Sequence, residues 1–342
     1  MIKIVYKYRW KINLILLVVT MLLITACSSG DEQHTLDLDF HKGTKGIEFD
    51  VLGIMNEVYE GTSFKVALNV FNKGAYDLPN TNGGYINLNL EKDYMCFSDG
   101  QKCINTNDPR SALRDLGDMK GKSVLNPTGD FDVFEYYIMT KKIDKQSFEH
   151  ISTIGLSLCY QYQTDLITDA CIDPYFYEQS QIEKPCVVKD LSFSSQGSPL
   201  VITKIESKML SDGQNKVKPM FIIHVLNNGR GEVIHKDMVD QVCTAASLPP
   251  NAFNTVHLRE FEFMIGDTLY KYDRELENKN LKCDFLNNKE ETKLNEGKAK
   301  IRCTALKPIG PEIGTITTQL KMVFDYGYTY SESKSIAIKR LY

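Results

Sequence analysis

The chain has 342 residues, 42% hydrophobic and 25% charged, with 22 Gly and 11 Pro, a balance that excludes disorder, collagen and low-complexity fibre. A formal charge of -4 carries no basic excess, so nucleic acid is not an expected partner. Nine cysteines and a single Trp are the unusual counts, and nothing in them names an activity.

Residues 1–26 read as a signal peptide. Lys3, Lys7, Arg9 and Lys11 precede an apolar run from Ile12 to Ile24, and no acid occurs before Asp31. That run is shorter than the roughly 20 apolar residues a spanning helix needs. It ends in Ile24-Thr25-Ala26-Cys27, followed by polar Ser28-Ser29-Gly30-Asp31. This ending resembles the lipobox of prokaryotic lipoproteins. The resemblance implies a lipid on Cys27, which becomes the first mature residue and holds the chain at the extracytoplasmic face of the cell membrane. The alternative is an uncleaved anchor with Cys27 an ordinary thiol. Loss of the four cations takes the formal charge from -4 to -8, and an acidic surface is repelled by anionic headgroups. The expected membrane contact is therefore the tether, residues 27–44.

Eight cysteines remain: Cys96, Cys103, Cys159, Cys171, Cys186, Cys243, Cys283 and Cys303. An even number in an exported chain argues for disulfides, although sequence does not fix their connectivity. Cys96 and Cys103 flank the turn-like Phe97-Ser98-Asp99-Gly100; Cys283 and Cys303 have a strand–turn–strand spacing. Cys159 and Cys171 flank a polar stretch read as a turn, which leaves Cys186 for Cys243. A zinc-cysteine site is disfavoured, since no C-x-x-C occurs and no His lies within four residues of a cysteine.

Period-2 alternation dominates after the tether. Phe64, Val66, Leu68 and Val70 share one face, as do Ile86, Leu88 and Leu90, and Ile154 through Tyr162 at every second position. In the second half the stripes are Phe221-Ile223-Val225, Phe261-Phe263-Ile265, Ala299 to Ala305, and Ile316 to Tyr326. One buried and one wet face per strand predicts antiparallel sheets packed as a sandwich. Short helices are expected after Asp108-Pro109 and within Val233 to Ala246.

An internal repeat divides the chain. Val66-x-Leu68-x-Val70-Phe71-Asn72-Lys73-Gly74 matches Phe221-x-Ile223-x-Val225-Leu226-Asn227-Asn228-Gly229. Leu158 to Thr164 matches Val323 to Tyr330, each with Tyr-x-Tyr before a polar stretch. The shared glycine is read as a residue needed for positive φ at a strand end. The boundary falls near Pro185, giving domains at 45–180 and 187–342.

The strand ending in Asn-x-Gly, after Glu57-Val58-Tyr59-Glu60-Gly61, resembles the immunoglobulin-like surface repeats of archaea and bacteria, the CARDB families nearest. The resemblance implies two tandem immunoglobulin-like β-sandwich domains with a structural, spacer or adhesive role, and no catalytic residues to carry over. The segments 97–130 and 230–255 depart from the roughly 100-residue units of such families.

No catalytic, metal or cofactor motif stands out. No two of His34, His41, His150, His224, His235 and His257 have metal-pair spacing, and His257 reads as part of a surface strand. No nucleophile elbow and no phosphate-binding glycine pattern occurs. Asp37/Asp39 and Glu260/Glu262 read as solvated acids. Asp99, Asp108, Asp115 and Asp118 lack the ordered spacing of a calcium loop. Aromatics at Phe131, Phe134, Tyr136-Tyr137, Tyr175-Phe176-Tyr177 and Tyr326 to Tyr330 belong to strand packing in the first reading, and to a face for sugars or proteins in the second. The expectation is a non-enzymatic, cofactor-free surface lipoprotein whose partners are the membrane through Cys27 and other surface proteins or glycans. The rivals are a solute- or carbohydrate-binding lipoprotein and a secreted hydrolase on a β scaffold.

Overall fold

The computed structural model describes residues 40–79, 82–104, 112–178, 183–213, 215–244, 248–273, 280–285 and 291–341. The signal peptide, Cys27, His34, Asp37, Asp39 and the short helix expected after Asp108 lie outside the described residues. The first half carries β1 (Ile47–Leu52), β2 (Glu57–Tyr59), β3 (Ser63–Asn72), β4 (Gly84–Leu90), β5 (Met95–Phe97), β6 (Arg114–Asp115), β7 (Phe131–Thr140) and β8 (Glu149–Ile172). The second carries β9 (Leu191–Ser192), β10 (Leu200–Ser211), β11 (Val217–Asn227), β12 (Glu232–Ile234), β13 (Thr255–Ile265), β14 (Thr268–Asp273), β15 (Leu281–Asp284), β16 (Glu291–Lys293), β17 (Lys298–Ala305) and β18 (Ile316–Lys339). The helix expected within 233–246 shrinks to a 3-10 turn, Lys236–Met238, and α1 (Val239–Cys243), because Val233 is drawn into β12.

The fold is all-β. A four-stranded sheet has the order β1-β3-β7-β5, and a five-stranded sheet the order β9-β10-β11-β17-β15. A nine-stranded sheet runs β14-β13-β18-β8-β4-β6, with β2 and β12 on β18 and β16 on β13. The first two sheets repeat one pattern: β1, β3, β7 and β5 answer to β10, β11, β17 and β15. In the nine-stranded sheet β4 and β8 answer to β13 and β18. The two long strands pair antiparallel along their length, with Tyr160 opposite Tyr328 and Tyr162 opposite Tyr326. A local two-fold therefore passes beside the Gln161–Gly327 pair, and the repeat read from the sequence lies across it.

Alternation explains which face goes inward. Ile154, Leu156, Leu158, Tyr160 and Tyr162 of β8 are buried, as are Leu320, Met322, Phe324 and Tyr326 of β18. They join Val66, Leu68 and Val70 of β3 and Phe221, Ile223 and Val225 of β11 in one continuous core. Phe221 meets Phe261 and Phe263 edge-on at 5.7 and 5.5 Å, the geometry that favours paired rings beyond their area.

At the centre the four tyrosines form a buried quartet, linked at 5.4 Å (Tyr160–Tyr162), 5.7 Å (Tyr160–Tyr328) and 6.3 Å (Tyr162–Tyr326). Their hydroxyls secure the two copies of the Asn-x-Gly strand end. Tyr162 Oη donates to Asn72 Oδ1 at 3.1 Å, and Tyr328 Oη to Asn227 Oδ1 at 3.2 Å. Those same oxygens accept the Gly74 and Gly229 N–H groups at 3.3 and 3.2 Å. The amide nitrogens reach four residues on, Asn72 to the Tyr76 carbonyl and Asn227 to that of Gly231. Tyr160 and Tyr326 accept the backbone N–H of Ile47 and Leu200, the first residues of β1 and β10. Burial raises all four phenols, Tyr328 to about 12, so they stay protonated donors.

The reason for the glycine is corrected by this geometry. Neither Gly74 nor Gly229 has positive φ. A Cβ on Gly74 would lie 1.9 Å from Tyr162 Oη, and one on Gly229 would lie 2.1 Å from Tyr328 Oη. Close approach by a phenol, not a left-handed turn, excludes a side chain there.

On the outer face of β13, Glu260 lies between Lys271 and Lys321, at 2.8 and 3.0 Å. Partial burial pushes its carboxyl up, but hydrogen bonds from the two lysines outweigh that and bring it down to about 2. A depressed carboxyl stabilises the fold fully above its unfolded value near 4.5, and that stability is lost as pH falls toward 2. Thermal melts from pH 5 to 2.5 are expected to fall more steeply for wild type than for Glu260→Gln. Parallel curves would remove Glu260 from the acid response.

Candidate functional site

Three features have the chemistry of a site: an aromatic strip, a histidine–glutamate cluster and a pair of buried thiols. The strip lies on β3 and β7, whose inward residues are committed to the core. Alternation divides the aromatic run of β7: Tyr136 is buried, while Phe131, Val133 and Tyr137 face out at 66%, 44% and 48% exposure. Phe131 pairs across the strands with Phe71, rings 6.0 Å apart, and Lys73 lies 4.9 Å over the Phe71 ring. The Lys65–Glu135 pair, at 2.8 Å, borders the strip. Such an exposed apolar and aromatic surface suits contact with another surface rather than a buried small molecule. In the Tyr175-Phe176-Tyr177 segment, Tyr175 and Tyr177 donate to the Pro311 and Met209 carbonyls, and Phe176 and Tyr177 are both exposed.

The second feature is one the sequence reading missed. His257 is buried at 2% exposure, not on a surface strand, because β16 pairs with β13 and sets Glu291 directly opposite it. Val256 and Leu258 join the core, so His257 lies on the opposite face of β13, where the His235 ring packs against it. His235 caps the 3-10 turn after β12: its Nδ1 accepts the Asp237 N–H at 3.2 Å. Its ring meets that of His257 at 90°, centroids 4.6 Å apart. Glu291 Oε1 lies 3.6 Å from His235 Nε2 and 4.0 Å from His257 Nδ1. The other described histidines lie elsewhere: His41 beside Asp165, His150 between Glu91 and the Tyr94 ring, and His224 on Glu206. No sequence motif links residues 235, 257 and 291; the register of a three-residue strand does.

The cysteines follow the strands. Cys96 bonds Cys103 around a turn in which Asp99 accepts the N–H groups of Gln101 and Lys102, and Cys283 bonds Cys303 across β15 and β17. Those backbone donors hold the Asp99 carboxyl below its usual range. The expected Cys159–Cys171 and Cys186–Cys243 bonds are not formed: Cys171 bonds Cys186, and Cys159 and Cys243 are free, buried thiols. The physical reason is that β8 does not turn. Cys159 and Cys171 stand on one extended strand, roughly 40 Å apart along it. Cys243, on α1, packs instead on Cys159. Hydrogen bonding of the Cys243 S–H to Cys159, together with burial, pushes the Cys243 thiol up, so its thiolate is scarce.

The acids considered for calcium are not brought together among the described residues. Asp99 holds its own turn, Asp115 accepts the Gly117 N–H and Asp118 pairs with Lys120; Asp108 lies outside the described residues. Glu260 and Glu262 form the lysine ladder on the outer face of β13.

No protein-family model matches the chain, and no curated protein matches it. Among solved structures, the Streptococcus agalactiae AgI/II polypeptide BspA C-terminal domain is similar at 8% identity. The match covers 86% of this chain and 98% of that chain with a TM-score of 0.16. A second structure, BspA_C_WT, matches at 7% identity over 87% and 95% of the two chains with a TM-score of 0.14. Likeness at this level transfers neither fold nor function.

Proposed function

We propose that this chain is an exported, non-catalytic surface protein, held to the outer face of the cell membrane by a lipid on Cys27. Residues 45–180 and 187–342 act as two immunoglobulin-like units fused through β8 and β18, with a structural or adhesive role. The observation that supports it is the set of three disulfides, Cys96–Cys103, Cys171–Cys186 and Cys283–Cys303, which persist in an oxidising compartment. The Phe131-Val133-Tyr137 strip is the contact face in this reading, with a surface protein or glycan as partner. Radiolabelled palmitate fed to expressing cells is expected to enter the wild-type chain and not Cys27→Ser, which is released from the membrane fraction. Equal labelling of the two, or continued membrane retention of the variant, contradicts the anchor.

A further inference from the structure

The His235–His257–Glu291 cluster brings two imidazole nitrogens to one carboxylate oxygen at ion-pair distance. Glu291 Oε1 stands 3.6 and 4.0 Å from two imidazole nitrogens, beyond hydrogen-bond length to either. The three candidate ligand atoms all lie within 4.8 Å of one another. Ligands around a tetrahedral ion at about 2.0–2.1 Å stand about 3.3 Å from each other, so the separations would close by a few tenths of an ångström to at most about 1.5 Å to complete the shell. The two imidazole rings are perpendicular, with centroids 4.6 Å apart, so they are not stacked face to face. Among the described residues the ion-pair partners of Glu291 are these two histidines, so a carboxylate stands beside two buried imidazoles. A divalent cation would satisfy all three at once.

We propose that His235 Nε2, His257 Nδ1 and Glu291 Oε1 form a site for a divalent transition metal, zinc above all. Two nitrogens and one carboxylate oxygen suit a borderline ion over calcium or magnesium, which take oxygen-rich shells. Three protein ligands leave a fourth position for water or a partner's donor. Binding at Nε2 of His235 requires the ring proton on Nδ1. The Asp237 carboxylate, 3.8 Å from that nitrogen, would have to close to hydrogen-bond length to accept that proton, and the Asp237 N–H that Nδ1 accepts in this structure would be given up. Asp237 is thus a positioning residue. The proposal goes beyond the surface role and stands independently of it.

The test is a cobalt titration of the full-length chain in detergent, purified without a polyhistidine tag and followed by visible absorption, with zinc affinity then obtained by competition. Wild type is expected to bind one equivalent with the intense bands of four-coordinate cobalt. His235→Gln and Glu291→Gln are expected to weaken binding at least about tenfold and abolish those bands, and Asp237→Asn to weaken it about tenfold while keeping them. His224→Gln, at an unrelated ion pair, should titrate as wild type. Glu291→Gln replaces a half-buried side chain by its isostere, so it carries the test if His235→Gln does not fold; metal-free thermal melts verify folding. Absence of a saturable cobalt spectrum in wild type, or wild-type titration of both His235→Gln and Glu291→Gln, overturns the proposal.

Discussion

Gly74→Ala is expected to destabilise the protein by about 4 kcal/mol, and Gly229→Ala by about 2–3 kcal/mol. The two positions are equivalent in the repeat, yet their surroundings differ. At Gly74 an added Cβ meets Tyr162 Oη at 1.9 Å and also the backbone oxygens of Gly197 and Lys45, each at 2.6 Å. Backbone cannot rotate away, so Tyr162→Phe should not rescue Gly74→Ala. At Gly229 the neighbours are Tyr328 Oη at 2.1 Å and the Pro199 Cβ at 2.7 Å. Tyr328→Phe removes the nearest atom and should recover part of the loss, at the cost of the bond to Asn227. Urea denaturation of the two single and two double variants measures this directly. Equal rescue at both sites would show that backbone does not fix Gly74, and single variants as stable as wild type would show that close approach fixes neither glycine.

Asn72→Leu is expected to cost about 3–5 kcal/mol, and Asn227→Leu about 1–3 kcal/mol. Asn72 is fully buried and makes four bonds: its amide donates to the Tyr76 and Met119 carbonyls, and its oxygen accepts from Gly74 N–H and Tyr162 Oη. A leucine of similar size removes all four bonds in a low-dielectric core; the Met119 carbonyl keeps the Leu78 N–H, but the other partners lose their bond to Asn72. Asn227 is half-buried and makes three bonds, so water can replace part of what is lost. The ordering Asn72 above Asn227, read from the same denaturation series, is the checkable outcome. The reverse order would mean that burial does not set the scale.

Strand identity and inward faces were legible because a period of two is imposed by the pleat, and each buried stripe from Phe64 to Tyr326 repeats it. The repeat was legible for the same reason, and the Asn-x-Gly ending marked equivalent strand ends although for another cause than positive φ. The turn between Cys159 and Cys171 was misread because Gln161, Gln163 and Asp165 look like loop residues. In the folded chain they are the polar partners of Tyr160, Tyr162 and Thr164 along one strand, paired across to Gly327, Asp325 and Val323. Short disulfide loops, such as Cys96–Cys103, follow from local chain geometry, whereas Cys171–Cys186 depends on where β8 ends. The histidine–glutamate cluster had no local signal. It arises when β16 pairs with β13 and when the turn bearing His235 covers the outward face at His257, both consequences of tertiary packing.

Sulfur chemistry tests the central claim, that this is an exported, disulfide-closed β protein, most directly. Protein taken from intact cells, alkylated without reduction and digested, should yield the Cys96–Cys103, Cys171–Cys186 and Cys283–Cys303 cross-linked peptides, with Cys159 and Cys243 alkylated after unfolding and protected before it. All eight thiols free in that material would place the chain in a reducing compartment and contradict the account.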